Sequence, residues 1–162
     1  MKLAVCVLVA AATLLATPSL AWANSEFEGE WVLDVKRSSD LGRLMSATQT
    51  IVLEGKNLRV SRTITRGIDE PVSYEYVYVT DGTVHNVVGP PEFVRDVTAE
   101  WKGFFGQKLE VKWTMEVQGI SVESTETWEK KSKGLRLTRE FKAPMIRRGQ
   151  KLYFVRPGHH KR

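Results

Sequence analysis

The chain of 162 residues holds one cysteine, Cys6, and three histidines, two of them in the terminal His159-His160-Lys161-Arg162 cluster. A single thiol cannot close an internal disulfide, so stability has to come from burial and strand pairing. With His85 the only other histidine, there is no imidazole cluster to bind zinc, and no Ser-His-Asp set unless His85 serves alone. His85 reads instead as a hydrogen-bonded residue beside the Asp81-Gly82 turn. No Gly-rich loop leads from a strand into a helix to cradle a phosphate. Carboxylates are plentiful but fall mostly on outward faces, so no acid/base couple stands out. The chain is therefore read as non-catalytic, with no metal and no cofactor. Long apolar runs are scarce as well: there is one, at the N-terminus.

That run extends from Leu3 to about Ala16 behind Lys2, and Pro18, Ala21 and Ala23 follow it. It is shorter than the roughly 20 residues a spanning helix needs. Ala21-Trp22-Ala23 has the small-x-small form read by signal peptidase. Residues 1–23 are expected to be a cleaved secretory signal, cut before Asn24, with a retained anchor as the alternative. A secreted or periplasmic location follows. Cys6 lies inside the apolar run, not just after it where a lipid-anchored cysteine would sit. Cleavage of residues 1–23 from 162 leaves 139, the size of one domain. That domain is expected over 24–156, with 157–162 a basic tail and no membrane segment left. The 24 basic and 19 acidic residues give a net charge of +5, or +4 without Lys2. Their signs interleave along the chain, which with export argues against nucleic-acid binding.

Beyond residue 24 the apolar pattern has period 2, with turn residues every eight to twelve positions. About ten strands are expected, near 28–36, 47–54, 57–65, 72–80, 83–88, 93–102, 108–117, 120–131, 135–142 and 150–156. Helix signals are almost absent; Asp40 is placed to cap one short turn through Leu44 and Met45. Glu54-Gly55-Lys56-Asn57, Thr80-Asp81-Gly82-Thr83, Val117-Gln118-Gly119-Ile120 and Lys131-Ser132-Lys133-Gly134 read as tight hairpins. Consecutive pairing makes an antiparallel up-and-down meander. Closure into a barrel removes its two edges, and a two-sheet sandwich is the alternative.

The strand faces carry the functional expectation. Turning the chain at Gly55-Lys56 sets Leu53 opposite Leu58, Ile51 opposite Val60 and Gln49 opposite Arg62. The inward face 58, 60, 62, 64 then has an arginine in its middle. The sixth strand turns Phe93, Arg95, Val97, Ala99 and Trp101 inward, again with one arginine. The Gln118-Gly119 and Ser132-Lys133 turns set Trp113 opposite Ser124, Val111 opposite Glu126, Glu126 opposite Arg139 and Trp128 opposite Leu137. Inward charges are costly unless paired or solvated. Either these groups neutralise one another or reach water at a barrel mouth, or they bound a partly polar cavity. In the second case a free arginine receives an anionic head group, while Trp101, Trp113, Trp128 and Met115 line an apolar end. Tyr74, Tyr76 and Tyr78 share one face of the fourth strand, and the pattern leaves open which way it points.

Glu28-Gly29-Glu30-Trp31-Val32-Leu33-Asp34, with Lys36 and Ser38 after it, resembles the opening G-x-W strand of lipocalins. It is closer to the G-x-W-x-L-(D/N)-x-x-x-S start of small secreted bacterial lipocalin-like proteins of the calycin type. The resemblance implies an up-and-down barrel whose closed end is sealed by Trp31 against an arginine from a late strand, Arg156 first and Arg139 second. The later Thr-Asp-Tyr motif, C-terminal helix and disulfide of lipocalins have no counterpart here. A small hydrophobic or amphipathic, even anionic, molecule held in the barrel is the expected partner. A filled barrel acting through its surface is the alternative. Cleavage at the expected site is checked by intact mass: protein recovered from outside the host cytoplasm should begin at Asn24, and recovery there with residues 1–23 attached would contradict it.

Overall fold

In 108–117, Leu109, Val111, Trp113, Met115 and Val117 alternate with Lys108, Glu110, Lys112, Thr114 and Glu116. A strand with one apolar and one charged face buries the first only by curling with its neighbours around a shared core. The computed structural model describes residues 25–89, 93–103 and 107–158. The expected signal segment, residues 159–162 of the basic tail and the side chain of Phe93 lie outside the described residues.

Ten strands form one antiparallel sheet: β1 (Gly29–Leu33), β2 (Leu44–Glu54), β3 (Asn57–Arg66), β4 (Val72–Val79), β5 (Asp81–Gly89), β6 (Phe93–Lys102), β7 (Lys108–Val117), β8 (Ile120–Lys131), β9 (Gly134–Ala143) and β10 (Ile146–Val155). Their order is β4-β3-β2-β1-β10-β9-β8-β7-β6-β5. First and last strands pair, Val32 with Val155 and Leu33 with Phe154, so the meander wraps into a nearly closed barrel. The hairpin registers read from the turns at Gly55, Gly119 and Ser132 are those of the structure: Gln49 opposite Arg62, Trp113 opposite Ser124, Glu126 opposite Arg139.

Three local expectations are corrected. Thr80-Asp81-Gly82-Thr83 does not close a hairpin, because its backbone groups are taken elsewhere. Thr80 donates its N–H to the Lys56 carbonyl at 2.8 Å. Asp81 pairs with Glu100 on β6, and β5 bulges before Val84. β4 and β5, the two ends of the sheet, therefore meet across a seam with no ladder between them. The short helical turn is not at Asp40, which takes φ 57°. It spans Val35–Arg37, where the Asp34 carboxylate accepts the Arg37 N–H. Lastly, β10 begins at Ile146 rather than 150, since a tight turn at Pro144-Met145 lets Ile146 pair directly with Ala143.

One end of the barrel is packed solid. Phe27, in a 3-10 turn at Ser25–Phe27, packs edge-on against Trp101 of β6 with ring centroids 5.1 Å apart. Since β6 lies opposite β1 in the ring, the segment before β1 crosses the barrel end. Trp31 Nε1 donates to the Phe27 carbonyl at 2.8 Å. Above it Leu58, Val60, Leu109, Trp128 and Leu137 are at most 1% exposed.

Arg156 lays its guanidinium on Trp31, 3.9 Å from the ring centroid, and its two terminal nitrogens reach the carbonyls of Glu30 and Glu26 at 3.4 and 3.5 Å. Gly29 makes this possible. A Cβ there would lie 2.3 Å from Arg156 Nη1, and the residue has φ +100°, where side chains are strained. Gly29→Ala should cost about 1–3 kcal/mol from backbone strain, and more from displacing Arg156. Urea melts check this: the penalty should shrink in an Arg156→Ala background, and an unchanged penalty would show that the arginine is not the obstacle.

Candidate functional site

The other half of the barrel is organised by a charged layer. Gln49 on β2 pairs with Arg62 on β3, and Glu126 on β8 pairs with Arg139 on β9. In the strand order these two pairs stand across the barrel from one another. Arg139 grips Glu126 through Nε at 2.8 Å and Nη2 at 2.7 Å, both on Oε1. Trp128, from the packed half, donates its Nε1 to Glu126 Oε2 at 3.2 Å. Arg62 gives its Nε to Gln49 Oε1 at 3.1 Å and lies 5.6 Å over the Trp128 ring. No carboxylate among the described residues lies within ion-pair distance of it.

The electrostatics follow from burial and spacing. Burial pushes the Glu126 carboxyl up, but Arg139 and then Arg62 outweigh it and hold the group below the ordinary carboxylate range. Desolvation lowers Arg62, the attraction of Glu126 opposes this, and the like charge of Arg139 adds to the lowering. Burial, then Glu126, pushes the Tyr78 phenol well above its ordinary value, so it stays neutral.

Above this layer lies a hollow of about 340 Å³. Arg62, Arg66, Arg95 and Arg139 border it, with Glu126 the one carboxylate among the described residues of its wall. Arg95 stacks 4.9 Å over the Trp113 ring, and Trp113 meets Phe141 edge-on at 6.4 Å. The opposite wall is the tyrosine face of β4: Tyr76 and Tyr78 stack at 5.9 Å, and Tyr74 tilts against Tyr76 at 6.4 Å. A second hollow of about 240 Å³ shares Arg62, Arg66, Tyr74, Tyr76 and Arg139 and extends toward Leu41 and Leu44. Outside it, Arg139, Arg147 and Arg148 edge an open cleft of about 850 Å³.

Of the residues singled out in the sequence, Arg62, Arg95, Trp113, Glu126 and Arg139 gather around the hollow. Trp101 and Trp128 do not border it: the first packs on Phe27 at the closed end, and the second sits fully buried beneath Glu126. Trp31 and Arg156 form the closed-end stack. The sequence reasoning missed Gln49, Arg66 and Phe141 as site residues and left the tyrosines undecided. Their direction is set by the β3–β4 register, Leu58 opposite Tyr78, Val60 opposite Tyr76 and Arg62 opposite Tyr74. The connection at 67–71 turns through an Asp69 N–H to Arg66 carbonyl bond at 3.0 Å but is longer than a two-residue hairpin loop, so it does not make this register readable.

His85 is hydrogen-bonded beside Asp81. Its Nε2 faces both Asp81 Oδ1 at 3.1 Å and Thr83 Oγ1 at 2.9 Å, and Thr83 Oγ1 also donates to Asp81 Oδ1 at 2.7 Å. The Thr83 backbone N–H, its hydroxyl and His85 hold the Asp81 carboxyl far below its ordinary value. Among the described residues no group of three or more His, Cys, Asp or Glu is placed to hold a metal ion. No helix among them is long and apolar enough to cross a membrane.

Fold and site together define a class: a nearly closed ten-stranded antiparallel barrel, packed at one end and arginine-lined at the other. No protein-family model matches the chain, and no curated protein matches it.

On the outer wall, Glu129 pairs with Lys108 at 3.0 Å, Lys131 at 2.6 Å and Arg136. Burial raises its pKa, but hydrogen bonds from Lys131, Lys108 and Arg136 outweigh this and bring it to about 2. Glu126 and Glu129 are both depressed in the folded state, so the unfolded chain takes up protons first. Their stabilisation is complete above about pH 5 and is lost on acidification, for Glu129 as pH falls through about 2. Denaturant melts from pH 7 to 3 should show this decline, with Glu129→Gln flattening it; a flat wild-type profile would refute it. Arg139→Ala should cost about 3 kcal/mol by stranding Glu126, and replacing both by Leu should recover most of the loss.

Proposed function

We propose that this is an exported, lipocalin-like binding protein that takes a small amphipathic anion into its barrel mouth and performs no chemistry on it. The observation that carries this reading is the charge balance of the hollow: among the described residues its wall holds four guanidinium groups and one carboxylate, in a space walled by aromatic rings. Arg139 is committed to Glu126, whereas among the described residues Arg62 makes one hydrogen bond, from its Nε to Gln49. A carboxylate or phosphate is the natural partner for such a fork. It would also offset the desolvation that lowers Arg62. Arg148 at the outer cleft adds positive potential that draws anions toward the opening, while Arg147 there pairs with Glu140 at 3.4 Å. The Trp31 and Arg156 stack at the closed end supports the lipocalin-like part of the reading, and the apolar run at 3–16 supports export.

A surface role is the second reading. It is favoured by the packed lower half and by an exterior cleft of about 550 Å³ at the closed end, edged by Arg37, Lys130, Lys133 and Arg156. None of these four has a carboxylate within ion-pair distance among the described residues. Native mass spectrometry of protein purified from its own host separates the two. A co-purifying small anion, lost in Arg62→Ala, is the expected result; a reproducibly empty barrel would favour the surface role.

A further inference from the structure

We infer that the ligand of the mouth is a compact, planar aromatic anion, and that long acyl chains are excluded; this rests on the mouth being the anion site proposed above. Depth is the first argument. The hollow ends at the layer of Arg62, Glu126 and Arg139, and beneath it Val60, Leu109, Trp128 and Leu137 are fully buried with 0% exposure. An acyl tail cannot follow its head group downward without dismantling that packing, which would open cavities costing several kcal/mol. At about 340 Å³, with the adjoining hollow of about 240 Å³ reaching only to Leu41 and Leu44, the space stays in the lower part of the range of ligand sites, about 300 to 1,000 Å³.

The walls are the second argument. β4 and β9 stand five strands apart in either direction round the ring, so Tyr74 and Tyr76 face Phe141 across the barrel, with Trp113 beside it. Each side presents ring surface to the hollow that Arg62 also lines. A flat ring lying between these walls keeps aromatic contact on both sides while its carboxylate or sulfonate meets Arg62. A flexible aliphatic chain gains less from the same walls and loses more rotamer entropy.

Isothermal titration of the whole protein with 2-naphthoate, octanoate and palmitate tests this. 2-Naphthoate should bind about three- to tenfold tighter than octanoate. Arg62→Ala should weaken it by about ten- to a hundredfold. Arg62→Gln, which removes the charge but keeps a polar side chain beside Gln49, should weaken it comparably without lowering the melting temperature, so that a folding defect in the alanine variant does not decide the outcome. Tyr76→Leu should weaken 2-naphthoate and leave octanoate unchanged. Octanoate binding as tightly as 2-naphthoate, or palmitate competing with it at one site, would overturn the aromatic assignment and leave the anion site standing. Failure of all three ligands, with no anion co-purifying from the host, would overturn the anion site itself.

Discussion

The ion pair between Arg139 and Glu126 decides where the core of this barrel stops. Glu126 is 5% exposed, and a carboxylate that deep is tolerated only because Arg139 holds one oxygen and the Trp128 indole N–H holds the other. Below it the described interior is mainly hydrocarbon and aromatic ring, with Tyr78 opposite Leu58. Above it no purely apolar filling is possible, because Arg62 and Arg139 must keep access to polar partners. The hollow is the consequence: the layer that ends the apolar core also supplies the charge of the space over it.

Closure rests on two unlike devices. At the β1–β10 junction the ladder is short, two residue pairs, and the Arg156 guanidinium reinforces it by bridging the carbonyls of Glu26 and Glu30 over the Trp31 ring. Gly29 leaves the room for this bridge. At the β4–β5 seam there is no ladder, and the chain simply passes from one strand to the next through Thr80, anchored to Lys56. The tyrosine face therefore stands on an edge strand, held from one side by β3 and from within by ring stacking. The wall of the hollow that carries most of its aromatic surface is also the wall with the fewest backbone restraints.

Much of this was legible in the residues. At the Gly55-Lys56, Gln118-Gly119 and Ser132-Lys133 turns the register followed, because a hairpin turn fixes which residues face each other and a one-residue slip would expose every apolar side chain. Arg62 opposite Gln49 and Arg139 opposite Glu126 were readable on that basis. The β3–β4 connection lacks such a two-residue turn, so the tyrosines had no readable direction. Asp81-Gly82 carries the signature of a hairpin, yet Thr80 and Asp81 spend their backbone groups on Lys56 and Glu100.

By itself the sequence determined the strand pattern, the meander and the inward placement of the arginines, since these depend on alternation and turn chemistry between neighbours in the chain. Only the tertiary structure decided which inward tryptophans pack and which border space, that the tyrosine face looks inward, and that the barrel stays unsealed along one seam. Those outcomes depend on strands that meet across the ring, far apart in sequence, where volume and leftover hydrogen-bonding capacity set what can be filled.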